Sequence, residues 1–224
     1  MSRQLSFDLP AKTALGREDF FVSPANAHAV AMIEDWTSWP GRKLAIVGPS
    51  GAGKTHLAHV WAKAADAQIV PAAALPRLDI PTLASRNIAL EDVPVIAGNP
   101  QAEVALFHLH NLALAEGHSV LMTAHVQPVR WGLILPDLKS RMEGTASVMV
   151  ESPDDDLLTA VLMKLFDDRQ LSPTPDTVPY LVRRIDRSFD MARQVVAALD
   201  DAAMTQKRDI TRKLAGEVLD GVMR

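Results

Sequence analysis

The chain has 224 residues, a net charge of −4 at neutral pH and a mean hydropathy of +0.05, values typical of a globular protein with one sizeable core, or one core and a small second domain. The absence of cysteine excludes disulfides and any nucleophile or metal site built on a thiolate. No apolar run approaches the roughly 18 residues that span a bilayer, and no basic-then-apolar signal segment opens the chain, so we expect a cytoplasmic protein without a membrane partner.

The distribution of charge gives no support for autonomous DNA binding. A domain that binds nucleic acid by itself usually has a concentrated basic face and a high pI, whereas the pI here is about 6.0. The nearest candidate is a pair of basic dipeptides, Lys207-Arg208 and Arg212-Lys213, on a predicted C-terminal helix. Two such pairs are typical of a solvated helix face.

Hydrophobic periodicity divides the chain into a short tail and two regions of different character. Residues 1–19 lack sustained periodicity and are interpreted as a tail and linker. Short apolar strands alternate with helices up to about residue 152, and helical patterns alone follow. The strands are predicted at 43–47, 68–71, 87–92, 119–124 and 147–150, and the clearest helices among them at 25–36, 55–65 and 102–116. The later helices are predicted at 154–168, 177–185, 191–200 and 211–222.

This order of elements predicts an α/β domain over residues 20–152 and a small all-helical domain over residues 153–224. Short apolar strands that alternate with helices are typical of a parallel sheet covered by helices on both faces. We therefore expect the α/β class, with any site that depends on the sheet in the first of the two domains.

The first predicted strand runs directly into a segment that matches the phosphate-binding pattern G-x-x-x-x-G-K-[ST]. Its glycines allow backbone N–H groups to turn inward around phosphates, and the helix that follows adds the positive end of its dipole. Lys54 can reach the terminal phosphates, and the Thr55 hydroxyl is placed to bind Mg²⁺. The alternative is a tight turn without a ligand. The segment consists of Gly48, Pro49, Ser50, Gly51, Ala52, Gly53, Lys54 and Thr55.

Two adjacent acids end the predicted strand at 87–92. A phosphate-binding loop normally works with a carboxylate at the end of a neighbouring strand, which holds the water shell of the metal. Glu91 and Asp92 are the candidates: one orients Mg²⁺, for which we take Glu91, and the other polarises the attacking water. The alternative is a strand that simply exits into solvent.

Two other groups of residues have ordinary structural interpretations. His108 and His110 are two apart on a predicted helix, where their side chains point in different directions, so two surface histidines are favoured over a metal site. The tryptophans at 36, 39, 61 and 131 are too scattered for a stacking platform and are expected to pack in the core or at its rim.

Three further segments carry a family resemblance. Residues 20–26, which include Phe21, Val22 and Asn26, are followed by the phosphate loop, then by Leu138-Lys139-Ser140-Arg141, then by Asp186-Arg187-Ser188. In this order and spacing the motifs resemble the DnaA-type branch of the AAA+ ATPases, most closely the short DnaA homologues of the Hda type, over nearly the whole chain.

The resemblance implies a role for each segment. Phe21, Val22 and Asn26 would line the adenine pocket, and Arg187 would contact the nucleotide from the sensor 2 region of a helical lid. Arg141 corresponds to the box VII arginine, which projects into the nucleotide site of a neighbouring subunit. The bound ligand would be ADP or ATP with Mg²⁺.

The N-terminal tail contains a second resemblance. Its sequence resembles the motif by which Hda-type proteins bind the DNA polymerase III beta sliding clamp, an extended peptide whose amide fixes orientation while apolar side chains fill a groove. The alternative is a disordered start of the chain. The residues expected to bind the clamp are Gln4, Leu5, Ser6, Phe7 and Leu9.

The sequence departs from the family pattern at three positions. Glu91 stands where the family usually has Asp, so rapid intrinsic hydrolysis is not expected, and His125 replaces the acid expected at sensor 1. Asp190 stands at the position of the usual phosphate-contacting arginine of sensor 2. Either Arg187 or Arg193 could compensate from an adjacent turn.

The resemblance implies a regulator of chromosomal replication initiation. Such a protein would bind the clamp and contact DNA only through it. It would present Arg141 to the ATP held by DnaA, and this ATP would then be hydrolysed. A homo-oligomer is possible. A local salt bridge is the alternative for Arg141. The alternative functions are a DNA-handling AAA+ ATPase, such as a helicase loader or an initiator-like protein, and a small-molecule kinase.

Overall fold

The computed structural model of this protein describes residues 21–222. The expected clamp-binding residues of the tail lie outside the described residues. The strands are β1 (Lys43–Val47), β2 (Gln68–Pro71), β3 (Ile88–Glu91), β4 (Val120–Ala124) and β5 (Ala146–Met149). The α-helices are α1 (Ala27–Glu34), α2 (Lys54–Ala65), α3 (Ile80–Ala84), α4 (Pro100–Ala115), α5 (Pro136–Glu143), α6 (Asp155–Asp168), α7 (Thr177–Val182), α8 (Phe189–Gln206) and α9 (Arg212–Val222).

All five strands form one parallel sheet in the order β2-β3-β4-β1-β5. Side chains alternate across the pleat of β1, so Ala45 and Val47 pack into the core on one face of the sheet, and Leu44 and Ile46 pack into the core on the other. Helices α3, α4 and α5 cover the first face, and α1 and α2 cover the second. The predicted α/β fold class, with a parallel sheet covered by helices, is confirmed.

Helices α6 to α9 enclose a core of their own. Its buried side chains come from all four helices, among them Phe166, Leu181, Leu199 and Leu214, and none of the residues in this cluster belongs to the sheet. The boundary that the sequence places at residue 152 stays a prediction. Within residues 21–222, no helix combines the length and the apolar character needed to cross a membrane.

Helix α8 is longer at both ends than the sequence predicts. Helix α8 begins two residues earlier than predicted, because the Ser188 hydroxyl caps it by accepting the N–H groups of Asp190 and Met191. It ends six residues later than predicted, at Gln206, and Lys207 follows in the left-handed conformation with φ of 51°. Helix α1 is shorter than predicted and begins only after Asn26.

The prediction that His108 and His110 are both surface residues is wrong for His110. His108 is exposed, whereas His110 is buried, with 3% of its surface accessible. The side chain of His110 lies 3.5 Å from the Lys43 ammonium, and burial lowers its pKa below the ordinary histidine value. The tryptophans do pack as expected: Trp39 stacks on Trp61 with ring centroids 5.2 Å apart, and both are buried.

Candidate nucleotide-binding site

The pairing of the strands brings the functional segments to one edge of the sheet. Val47 at the end of β1 pairs with Ala124 at the end of β4, and Leu90 near the end of β3 pairs with Met122. The segments that follow these three parallel strands therefore emerge side by side. The carboxyl edge of an open parallel sheet is where ligands bind in such folds.

The phosphate loop has the backbone that its sequence predicts. Gly51 and Gly53 have φ angles of +70° and +94°, which only glycine adopts readily, and α2 begins at Lys54. The Lys54 ammonium donates to the carbonyl oxygens of Gly48 and Pro49 over 2.8 and 2.7 Å. Burial lowers the pKa of Lys54, and the carboxylates of Asp92 and Asp190 oppose that shift.

The start of helix α8 lies directly against this loop. The backbone N–H of Phe189 donates to the carbonyl oxygen of Gly51 over 2.9 Å. A Cβ atom on Gly51 would lie 2.0 Å from the Ser188 hydroxyl, and a Cβ on Gly53 would lie 2.8 Å from the Phe189 ring. Both glycines are therefore required by the close approach of the helical domain as well as by their own φ angles.

A cavity of about 680 Å³ lies between the sheet edge and the helical domain. The phosphate loop and the two acids after β3 line one side, and α6 and α8 line the other. Of the residues selected from the sequence, those that line the cavity are Phe21, Ser50, Gly51, Gly53, Lys54, Thr55, Glu91 and Asp92. Those that do not are Val22, Asn26, Gly48, Pro49, Ala52, Arg141 and Arg187.

The two acids have different surroundings. Oε1 of Glu91 is buried and has no hydrogen-bond partner in the part of the chain that the structure describes. Asp92 has φ of 56°, its backbone N–H donates to the Thr123 hydroxyl over 3.0 Å, and its carboxylate lies 3.4 Å from the His125 imidazole. Glu91 therefore has one buried carboxylate oxygen without a partner among the described residues, while Asp92 and His125 form a pair at the cavity.

The outer wall of the cavity includes residues that the sequence reading missed. Leu157, Val161 and Leu165 lie on successive turns of α6 and face the cavity together with Phe21. Their spacing of four residues is the sequence feature that could have identified them, because it is typical of one apolar face of a helix. These four side chains form an apolar compartment beside the polar phosphate loop.

Comparison with known proteins identifies the fold of this chain. No model of a known protein family matches the chain. The chain is similar to domain III of the replication initiation protein DnaA from Thermotoga maritima, with a TM-score of 0.80 and 18% identity over 95% of this chain and 98% of that one. It is also similar to AMPPCP-bound DnaA from Aquifex aeolicus, with a TM-score of 0.68 and 19% identity over 82% of this chain and 64% of that one.

The chain has a DnaA-like AAA+ fold. A sequence relative is an uncharacterized protein of Haemophilus influenzae, 25% identical over 189 residues, which amount to 78% of this chain and 80% of the relative. Residues 48–55, which match the P-loop sequence pattern, are called the P-loop below, and helices α6 to α9 are called the lid.

The segment before α1 has one residue at the cavity and one that holds the segment in place. Phe21 lines the cavity and Val22 is 59% exposed outside it. Asn26 is buried: its amide NH₂ donates to the Phe21 carbonyl oxygen and its amide oxygen accepts the Ser23 N–H, each over 2.9 Å. Asn26 is thus placed to fix the position of Phe21 through the backbone, at a distance from the cavity itself.

The two arginines that could compensate at the sensor 2 position differ in their location: one lines the cavity and the other does not. Arg187 forms an ion pair with Asp155 over 2.8 Å and does not line the cavity. Arg193 lines the cavity, where it forms an ion pair with Asp190. Of the two arginines considered as substitutes at sensor 2, Arg193 is therefore the one in reach of a ligand. Asp190 lies beside it on the cavity wall.

Arg141 lies away from the cavity on the exposed side of α5. Its guanidinium lies 5.4 Å from the centroid of the Phe107 ring, a distance typical of a cation–π contact. Its backbone carbonyl accepts a hydrogen bond from the Lys43 ammonium over 2.6 Å. The contact with Phe107 holds the side chain on the surface without neutralising its charge.

Proposed function

We propose that this protein is a regulator of replication initiation that binds an adenine nucleotide and stimulates ATP hydrolysis by DnaA through Arg141. The observation that carries the proposal is a separation in space: Lys54, Thr55 and other residues of the phosphate loop line the cavity, whereas Arg141 is exposed outside it. A guanidinium outside its own nucleotide cavity is available to a nucleotide that another molecule holds.

An adenine nucleotide fits the two compartments of the cavity. Lys54 and the N-terminus of α2 supply positive charge and N–H donors for phosphates. The apolar compartment formed by Phe21 and the α6 face suits a planar base. The A. aeolicus DnaA structure that this fold resembles holds AMPPCP, an adenine nucleotide analogue.

Mg²⁺ would bind together with the nucleotide. Thr55 and Glu91 line the cavity together, and Oε1 of Glu91 is a buried acceptor without a donor within residues 21–222, which is a fitting place for a cation. No group of three or more histidine and carboxylate side chains within residues 21–222 could hold a metal alone. Mg²⁺ is typically bound by one or two protein ligands together with the phosphates of a substrate. The ion would neutralise phosphate charge.

The sliding clamp is the proposed scaffold for the reaction on DnaA. Residues 4–9 contain the apolar side chains and the amide that a groove in a clamp would take. Binding through this tail would leave Arg141, on the folded body, available to a DnaA molecule held nearby. DNA would be contacted by the clamp.

A second candidate is an initiator-like ATPase that hydrolyses its own nucleotide. It is favoured by the gathering of Glu91, Asp92 and His125 around the P-loop cavity. The two candidates differ in which residues matter. Glu91→Gln and Asp92→Asn should abolish turnover by an autonomous ATPase, but should leave stimulation of DnaA largely intact if this protein is the regulator.

The deciding experiment measures the turnover of labelled ATP pre-bound to DnaA, in the presence of DNA-loaded clamp and this protein. The regulator is expected to accelerate turnover by orders of magnitude, since an arginine supplied in trans contributes a factor of ~10³–10⁵ in related phosphoryl transfers. Turnover that is unchanged by this protein, together with hydrolysis of its own ATP, would favour the second candidate.

A further inference from the structure

Two arginines of the lid lie over one tyrosine ring, and a third lines the same concave site, far along the chain from the P-loop. Tyr180 lies on α7, and the guanidinium carbons of Arg184 and Arg212 lie 4.9 and 5.2 Å from the centroid of its ring. Together with Arg183 they line a concave site of about 360 Å³ between the start of α9 and the end of α7. This group of four residues is called the arginine cluster below.

The arginine cluster differs from the other lid arginines in its ion pairing. Arg169, Arg187, Arg193 and Arg208 each pair with a carboxylate, respectively of Asp200, Asp155, Asp190 and Glu217. Within residues 21–222, the guanidinium groups of the arginine cluster form no ion pair with a carboxylate.

The acid at the site does little to offset this charge. Asp176 is the carboxylate among the lining residues, and its Oδ1 already accepts the Thr174 hydroxyl over 2.8 Å. Three positive charges against one negative charge leave the site cationic. Arg183, Arg184 and Arg212 are exposed, whereas Tyr180 is half-buried, so the three guanidinium groups are accessible to a ligand.

We propose that the arginine cluster binds the phosphodiester backbone of nucleic acid without reading its sequence. A guanidinium presents a planar fork of N–H donors that matches the oxygens of a phosphate. Arg184 and Arg212 both lie about 5 Å from one ring centroid, so they are within roughly 10 Å of each other. Two guanidinium groups this close together can contact neighbouring phosphates of one strand.

The geometry favours phosphate over base recognition. Two guanidinium groups already lie over the Tyr180 ring, so a base that stacked on the ring would compete with them. Contacts to phosphates position a protein on nucleic acid without carrying sequence information. A folded protein partner would need closely spaced carboxylates to match the same three charges. This inference goes beyond the proposed function: it concerns a site outside the nucleotide cavity, and it adds a direct contact with nucleic acid to the one made through the clamp.

The test measures binding of the full chain to a fluorescent oligo(dT) strand and to a duplex, by anisotropy, over about 50 to 200 mM salt with excess ADP present. Excess ADP keeps DNA phosphates out of the P-loop. Replacing all three arginines of the arginine cluster by Ala should reduce the slope of log K against log salt by about 2, since each lost single-strand contact removes ~0.7. Arg212→Lys should keep the slope and weaken binding, because the charge remains but the fork is lost.

Arg169→Ala and Arg208→Ala are the matched controls, because each removes a lid arginine that a carboxylate already neutralises. The proposal expects both controls to bind like the wild type. It is overturned if the controls lose as much affinity as the triple variant, or if the triple variant keeps its slope while its circular dichroism melt is unchanged. Binding of polyglutamate that matches DNA at the same salt would also overturn it and indicate an acidic protein partner.

Discussion

The backbone N–H of Phe189, the first residue of helix α8, donates to the carbonyl oxygen of Gly51 in the P-loop over 2.9 Å. This bond joins the lid to the phosphate-binding loop through main-chain atoms on both sides. The lid and the loop are therefore coupled, and a change in either is expected to move the other.

Gly51→Ala should break this coupling. The added Cβ would lie 2.0 Å from Ser188 Oγ and 2.8 Å from Ser188 Cβ, so rotation of the hydroxyl relieves only part of the clash and the lid must shift. We expect a loss of about 2–4 kcal/mol in the free energy of unfolding, from overpacking and left-handed strain combined, and an ADP affinity lower by about tenfold or more. Denaturant unfolding and calorimetric titration measure the two effects.

Gly98→Ala is the control for backbone strain. Gly98 has φ of +78°, close to that of Gly51, but nothing lies within 4 Å of an added Cβ. Its loss of stability should stay near the ~1–2 kcal/mol of left-handed strain, with ADP affinity unchanged. Equal effects of the two substitutions would mean that the lid contact has no part in nucleotide binding.

Lys54→Ala should weaken ADP binding by roughly tenfold or more, because a charge-assisted hydrogen bond to a phosphate contributes ~1.5–3 kcal/mol. The Lys54 ammonium now donates to the carbonyl oxygens of Gly48 and Pro49, and it would donate to a phosphate when the nucleotide binds. Lys63→Ala removes an exposed lysine from the same helix and should leave ADP affinity unchanged. Calorimetry that shows full affinity for Lys54→Ala would contradict the assignment of the P-loop.

Arg141→Ala should abolish stimulation of DnaA while leaving ADP binding intact, because Arg141 lies outside the cavity. Arg141→Lys should rescue poorly, since an ammonium lacks the planar fork that spans phosphate oxygens. Phe107→Leu should give an intermediate loss, because the ring 5.4 Å away holds the guanidinium on the surface. Turnover of DnaA-bound ATP measures all three variants, and full stimulation by Arg141→Ala would refute the arginine-finger role.

Deletion of residues 1–10 should abolish clamp binding and leave the melting temperature and ADP affinity nearly unchanged, because the sequence predicts no core element in this segment. Leu5→Ala combined with Phe7→Ala should have the same effect by removing the apolar side chains. Asp8→Ala, at a position not expected to enter the groove, is the control. Surface plasmon resonance on immobilised clamp distinguishes these variants, and binding that survives the deletion would place the contact elsewhere.

Acid pH should destabilise the protein through His110. Burial, with help from Lys43 and Arg141, lowers the pKa of His110 in the folded state, so the unfolded chain takes up the proton first as the pH falls through about 6.5. The free energy of unfolding should therefore fall below that pH. His110→Gln should flatten this dependence between about pH 7 and pH 5, and His108→Gln, on the exposed side of the same helix, should not. If the free energy of unfolding of His110→Gln and of the wild type depends on pH to the same extent, His110 is not the origin of the effect.

The sequence by itself determined the P-loop, the acids after β3 and the alternation of strands and helices. Each of these depends on neighbouring residues: the cradle is built by the backbone of one contiguous segment, and the two-sided burial of β1 follows from its run of apolar residues. For the same reason the sequence selected Lys54, Thr55 and Glu91, which the fold brings to one cavity.

Only the tertiary structure decided how distant segments meet. It placed Arg193 in the cavity and Arg187 on Asp155, a choice that depends on how α8 packs against α6. It buried His110 against Lys43, which lies on a strand far from it in the chain. It gathered the arginine cluster from α9 and the end of α7. Side-chain direction and helix packing determine such contacts, and neither can be predicted from the spacing of neighbouring residues.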